Sequence, residues 1–207
     1  MTRRLVLSAL VFLGSAEVVL GQSPGVSGYV TYGSTSFAAA DSFEATMGTR
    51  TDSGFGFGAT VTRVWKQLFV DVGYAQQKLD GNRVFIDNGQ VYNLGVPFTV
   101  TTRPLDLVAG WRFPVGRLVP FVGAGMSLIT YKETAPFATG ADDIEESSTG
   151  STFLGGVDVS VARLLRIGGE FRYRAVHGVL GIGGVSEDFG EDQLGGVAAA
   201  LRVSVGW

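Results

Sequence analysis

The chain has no cysteine in its 207 residues. Disulfides, thiolate catalysis and cysteine-ligated zinc are therefore excluded. It has one histidine, His177. Charged residues make up 17% of the chain, against about 25% in an ordinary soluble domain. The net charge is −3, which argues against nucleic acid as a partner, because a phosphate backbone needs a basic face. No phosphate-binding glycine loop, zinc signature or calcium-binding loop is present. Beyond the N-terminus, no apolar run reaches the ~20 residues that a membrane helix needs.

What is abundant points elsewhere. The chain is 45% hydrophobic, too apolar to be disordered, and its 31 glycines are too many for a helical bundle. The first stretch, MTRRLVLSALVFLG, sets Arg3 and Arg4 before an apolar run from Leu5 to Leu13, with small residues at Gly14, Ser15, Ala16 and Gly21. That order is a secretory signal peptide, expected to occupy residues 1–21. Its removal takes away two positive charges and one negative charge, Glu17, and moves the net charge from −3 to −4. No cysteine follows the apolar run, which excludes a lipoprotein.

The rest of the chain, 22–207, alternates with period two, a pattern no helix face produces. Strands are expected near 26–35, 53–63, 68–79, 98–113, 118–131, 152–161, 166–175 and in the closing stretch 196–207. In the last, Val197, Ala199, Leu201, Val203, Val205 and Trp207 alternate with small or polar residues. Tight links (VWKQ, PVGR, ARLL) alternate with long ones near 36–52, 80–97, 132–151 and 175–192. Eight antiparallel strands with short turns at one end and long loops at the other read as an all-β, up-and-down transmembrane β-barrel.

The polar face of these strands is Gly, Ser, Thr and a few charges, not the Lys and Glu a water-exposed face requires. It therefore belongs inside a narrow barrel, where glycine also eases coiling. Aromatics near strand ends (Phe55, Tyr74, Trp111, Phe113, Phe121, Tyr131, Phe153, Tyr173 and Trp207) are read as interfacial girdles. A soluble lipocalin-like binder is the opposite arrangement and would turn Leu201 and Val203 inward.

Charges on the inner face need partners. The candidates are Arg63, Asp71, Asp106, Arg112, Asp158, Glu170, Arg172, Arg174 and Arg202. Asp158, Glu170, Arg172 and Arg202 are expected to form one network that plugs the lumen, since eight strands leave an interior just wide enough for side chains.

The segment LVPFVGAGMSLITYKET, with its Pro-aromatic-Val-Gly-x-Gly pattern at Pro120–Gly125, resembles strands of small bacterial outer-membrane barrels of the OmpA, OmpX and OmpW type. The aromatic-terminated last strand, with Val203, Val205 and Trp207, resembles the signal read by the outer-membrane assembly machinery. The resemblance implies location in the bacterial outer membrane. It also implies lipid and lipopolysaccharide contacts and a monomer. It implies no peptidoglycan-binding role, because the C-terminal domain of larger relatives is missing from this sequence.

No cofactor, metal or catalytic residue is expected. An enzyme acting on lipid A would need a serine and an acid near His177; Ser186 and Glu187 lie in the same loop. The acidic loop stretches Asp142, Asp143, Glu145, Glu146 and Glu187, Asp188, Glu191, Asp192 are read as solvated faces rather than divalent-cation sites. SFAAADSFEATMG is expected to form a short helix capped by Asp41 or Ser42, with Glu44 in its first turn. Asn88-Gly89 is a two-residue hairpin signal that should carry strands three and four beyond the membrane. The reading is a non-enzymatic outer-membrane barrel with a structural or surface-contact role. A narrow channel for small apolar molecules is the alternative.

Overall fold

The computed structural model describes residues 24–87, 90–134, 144–178, 180 and 185–206. The expected signal peptide, Asn88-Gly89, Asp142, Asp143 and Trp207 lie outside them. Eight strands form a closed antiparallel barrel in sequence order. They are β1 (Gly25–Phe37), β2 (Thr51–Thr62), β3 (Leu68–Asp87), β4 (Gln90–Arg112), β5 (Leu118–Thr134), β6 (Ile144–Ser160), β7 (Leu165–Ala175) and β8 (Gly196–Gly206). Helix α1 (Ala40–Met47) lies between β1 and β2, and a four-residue turn of helix, α2 (Val185–Asp188), precedes β8.

Closure is made by β8 pairing with β1, from Ser27↔Gly206 to Phe37↔Gly196. The last strand is thus a full stave with a partner on each side. Closure removes the open edges that a lipid environment cannot satisfy.

The alternation decides which face is which. Leu201, Met126, Phe57, Leu107 and Val30 stand outside, more than half exposed. Asp71, Val108, Ser127 and Thr152 are fully buried inside. Leu201 and Val203 face outward, which overturns the lipocalin-like arrangement. Both faces of β5 carry apolar residues, and the burial pattern tells them apart. Leu118, Val122, Met126 and Leu128 are outside, while Val119, Phe121, Ser127 and Ile129 are inside. Phe121 and Tyr131 therefore do not join the girdle; Phe121 fills the lumen and Tyr131 packs against an inner apolar cluster.

Two glycines on β2 and β3 make room for one aromatic ring. A Cβ at Gly58 would strike the Tyr29 ring, and one at Gly73 would lie 2.7 Å from the Tyr29 hydroxyl. Small inner residues on these strands thus let a large side chain from β1 lie across the lumen.

The short links lie at one end: Arg63–Gln67, Phe113–Arg117 and Val161–Leu164. Arg63, expected on the inner face, is exposed in the first of these turns with φ 58°, because β2 ends at Thr62. At the other end, two of the stretches read as long loops, the described parts of 80–97 and 132–151, are strand. β3 and β4 pair out to Asp87↔Gln90, with a register shift between Asn82 and Val84. β5 and β6 pair out to Glu133↔Ile144. The β3–β4 ribbon presents Phe85, Val91, Tyr92 and Leu94 to solvent.

The cap position of helix α1 lies two residues before Asp41 and three before Ser42, the expected caps. Ala39 occupies the cap position without a side-chain cap, which moves Glu44 out of the first turn. The carboxylate of Glu191 caps it instead. It accepts the main-chain N–H groups of Asp41 (3.0 Å) and Ser42 (2.9 Å) and the Ser42 hydroxyl (2.5 Å). Those orphan donors and the positive end of the helix attract an anion regardless of its distance in sequence.

Candidate functional site

The barrel interior is layered. Nearest the short turns, Phe69, Val108, Phe121 and Leu154 form an apolar layer. At the loop end, Phe37, Ala39, Phe43, Leu79, Phe98, Val100, Ile129, Val176 and Leu194 form a second, built from strand tips, α1 and the segment before β8. Neither layer was expected from the sequence, where the inner face reads as Gly, Ser and Thr. The signal was present in Phe69 and Phe121, whose position beside outward apolar residues masked them.

Between the layers lies a cluster of Asp71, Asp106, Glu170, Arg172, Arg174 and Arg202. Three carboxylates balance three guanidinium groups. Arg172, on β7, donates to Asp106 on β4 at 2.7 Å, to Glu170 at 3.2 Å and to Asp71 on β3 at 3.4 Å. Arg174 holds Asp106 by two nitrogens, Nη2 at 2.7 Å and Nε at 3.0 Å. Arg202 donates to Glu170 at 3.0 Å, Asp71 at 3.2 Å and the Thr60 hydroxyl at 2.6 Å. Asp71 also accepts the hydroxyls of Tyr29 (2.9 Å) and Thr60 (2.6 Å). The Arg202 guanidinium lies 3.6 Å from the centre of the Tyr29 ring. A buried ion is costly unless its remaining lone pairs are also satisfied. Asp71 meets that condition with four donors.

Of the four residues expected to form one network, the structure brings Glu170, Arg172 and Arg202 together. Asp158 sits on Arg112 instead, in a separate pair nearer the short turns. Asp158 and Arg202 share a row, with Gly168 between them. Arg202 turns the other way because β8 also borders β1, where the Tyr29 ring and the β2–β3 acceptors receive it. Asp71, Asp106 and Arg174, named in the sequence only as inward charges, complete the cluster. Val203 and Val205 lie on the outer face of β8.

Above the cluster, Thr102 donates to Gln77 at 3.0 Å, and Gln77 donates to Thr35. A cavity of about 50 Å³ adjoins them, bounded by Thr31, Gln77, Glu170, Arg172 and Arg174. Among the described residues, no group of three or more His, Asp or Glu side chains is placed to hold a metal ion. His177 is exposed. Its Nδ1 lies 3.3 Å from Asp192, while the Ser148 hydroxyl donates to its main-chain oxygen at 2.7 Å.

A closed eight-stranded barrel with an apolar outer belt and a polar, charge-paired interior defines a transmembrane β-barrel, the one sheet architecture that satisfies its backbone in lipid. Residues 5–207 match the family described as outer membrane protein beta-barrel domain, and the chain belongs to that family. It resides in the bacterial outer membrane. Among solved structures it is similar to Ail, the attachment invasion locus protein of Yersinia pestis, crystallised with the heparin analogue sucrose octasulfate. Identity is 12% and the TM-score 0.55, over 90% of this chain and 100% of that one. It is also similar to a major outer membrane protein from Thermus thermophilus, at 12% identity and a TM-score of 0.51, over 88% of this chain and 99% of that one. These likenesses concern the fold. No curated protein matches.

Proposed function

We propose that the protein is a non-enzymatic, monomeric barrel that serves envelope structure or surface contact, with its lumen closed to solutes. The observation that carries this reading is the charge-neutral cluster of Asp71, Asp106, Glu170, Arg172, Arg174 and Arg202, which joins β3, β4, β7 and β8 across the lumen. Apolar layers lie above and below it, which supports a closed lumen, and a charged core is unsuited to small apolar solutes. The surface-contact part rests on the β3–β4 ribbon, whose Phe85, Tyr92 and Leu94 stand in solvent. Residues 1–21 act as the export signal, and the C-terminal sequence with Val203, Val205 and Trp207 is read by the assembly machinery. Lipopolysaccharide is the surrounding ligand, and no cofactor takes part.

The test is single-channel conductance of the folded protein in planar bilayers, with heat-modifiable gel migration as proof of folding. A silent, folded barrel is expected. Steady discrete openings overturn the closed lumen and favour the narrow-channel reading.

One contact favours a lipid A-modifying enzyme, the 3.3 Å approach of His177 Nδ1 to Asp192. A hydrolytic arrangement would also need a serine hydroxyl on Nε2, and the Ser148 hydroxyl is spent on the His177 main-chain oxygen. Loss of a lipid A mass change on His177→Ala would bring that reading first.

A further inference from the structure

We propose that the outer wall of β3–β5 carries a site for the phosphorylated sugar head group of lipid A, formed by Lys78, Arg103 and Lys132. This rests on the lipopolysaccharide contact proposed above and gives it a location on the barrel.

The three residues stand on the outward face, just beyond the apolar belt. On β4 the belt runs through Trp111, Leu107 and Leu105, and the next outward residue toward the loops is Arg103. On β5 it ends at Leu128, and Thr130 and Lys132 follow. On β3, Lys78 stands outward past Val72 and Tyr74. The register places them together. Thr101 is flanked by Lys78 on one side and Lys132 on the other, and Arg103 is one outward position below Thr101, opposite Thr130. Neighbouring strands are about 4.8 Å apart, so the backbones of Lys78 and Lys132 lie roughly 10 Å from each other. Thr101 thus stands between the two lysines, while the Thr130 hydroxyl is bonded to Ser147 on β6 at 2.9 Å.

Among the described strand residues the belt-edge cations are confined to this third of the wall, with Glu145 of β6 standing outward beside Lys132. Where the apolar stretches of other strands end, the outward residues are neutral: Ser34 and Ser36 on β1, Thr51 and Ser53 on β2, Thr149 and Ser151 on β6. Rim cations that served only to keep the wall wet would not need one sector. Lys78 and Arg103 have no carboxylate partner among the described residues. Lys132 has one at long range, Glu145 at 3.7 Å, and both groups are partly exposed. Asp80, next outward on β3, is taken up by the Thr99 hydroxyl at 2.6 Å. Cations with alkyl stems on an apolar wall and heads at the interface match an anion whose acyl chains lie along that wall. Arginine adds a fork suited to a phosphate.

The test uses the protein purified from outer membranes in detergent, titrated with fluorescent lipid A in three forms: two phosphates, one, and none. The form with two phosphates is expected to bind about tenfold tighter than the form with none at low salt, with added salt narrowing the gap. The combined K78Q, R103Q and K132Q variant, checked for folding by heat-modifiable migration, is expected to lose that preference. The single variant R103Q is expected to lose part of it, and it serves where the triple variant does not fold. Equal binding of all three forms by the unaltered protein overturns both the site and the lipopolysaccharide reading. A preference that survives in the variants overturns the site alone. Inorganic phosphate that displaces lipid A at equal concentration overturns the choice of a lipid head group.

Discussion

Arg172, on β7, donates a 2.7 Å hydrogen bond to Asp106 on β4, a strand it does not border in the barrel. The bond crosses the lumen. Removing the guanidinium leaves Asp106 with Arg174 alone, and Asp71 and Glu170 with Arg202. Unpairing a buried charge of this kind costs about 3–5 kcal/mol. Arg172→Met is expected to lower the urea midpoint of the folded form by that free energy. In planar bilayers it should also raise the conductance above that of the unaltered barrel. An unchanged midpoint would mean that the cluster adds nothing to stability.

The outward face is tested by Leu201, which is 68% exposed near the middle of β8. Leu201→Arg places a charge in hydrocarbon, at a cost of about 2–4 kcal/mol near the bilayer midplane. The loss should be measurable as a lower unfolding midpoint in vesicles. A neutral effect would contradict lipid contact at this position.

Gly58 is tied to the Tyr29 ring, because any Cβ there collides with it and with the Val72 carbonyl. Gly58→Val is expected to cost about 1–3 kcal/mol or more by overpacking. Restoring space with Tyr29→Ala in the same chain should relieve the collision, although it sacrifices the hydroxyl that Asp71 accepts. A double-variant cycle reads the coupling, and additive effects would show that the two positions are independent.

Glu191 fixes α1 over the loop end of the barrel through Asp41, Ser42 and the Ser42 hydroxyl. Glu191→Ala should cost about 1 kcal/mol, the value of a helix cap. The loss should be local. Hydrogen exchange at the α1 amides is expected to accelerate while the β1–β8 amides keep their protection. Equal acceleration in both would show that α1 and the barrel open as one unit.

The ribbon and the faces show how far period-two alternation reaches. Leu201, Val203 and Val205 against Arg202 and Ser204 already say which side of β8 meets lipid, because a one-residue slip would exchange the two faces completely. The flanks of Asn88-Gly89 already announce a two-residue hairpin, and Asp87↔Gln90 pairs accordingly. β5 was unreadable because its inward Val119, Phe121 and Ile129 are as apolar as its outward neighbours. A pattern that depends on polarity contrast gives no phase where both faces are apolar.

The sequence by itself determined the strand order, most of the outer belt and the inward charges other than Arg63, since each depends on residues near one another along the chain. Barrel closure decided which acid meets which base. Arg202 reaches Thr60 and Asp71 because β8 returns to β1, and Asp158 is left to Arg112. Glu191 caps a helix about 150 residues earlier for the same reason. These contacts cross the lumen or join chain segments far apart, and their partners are chosen by distance and desolvation inside the closed barrel. Local periodicity carries no information about either.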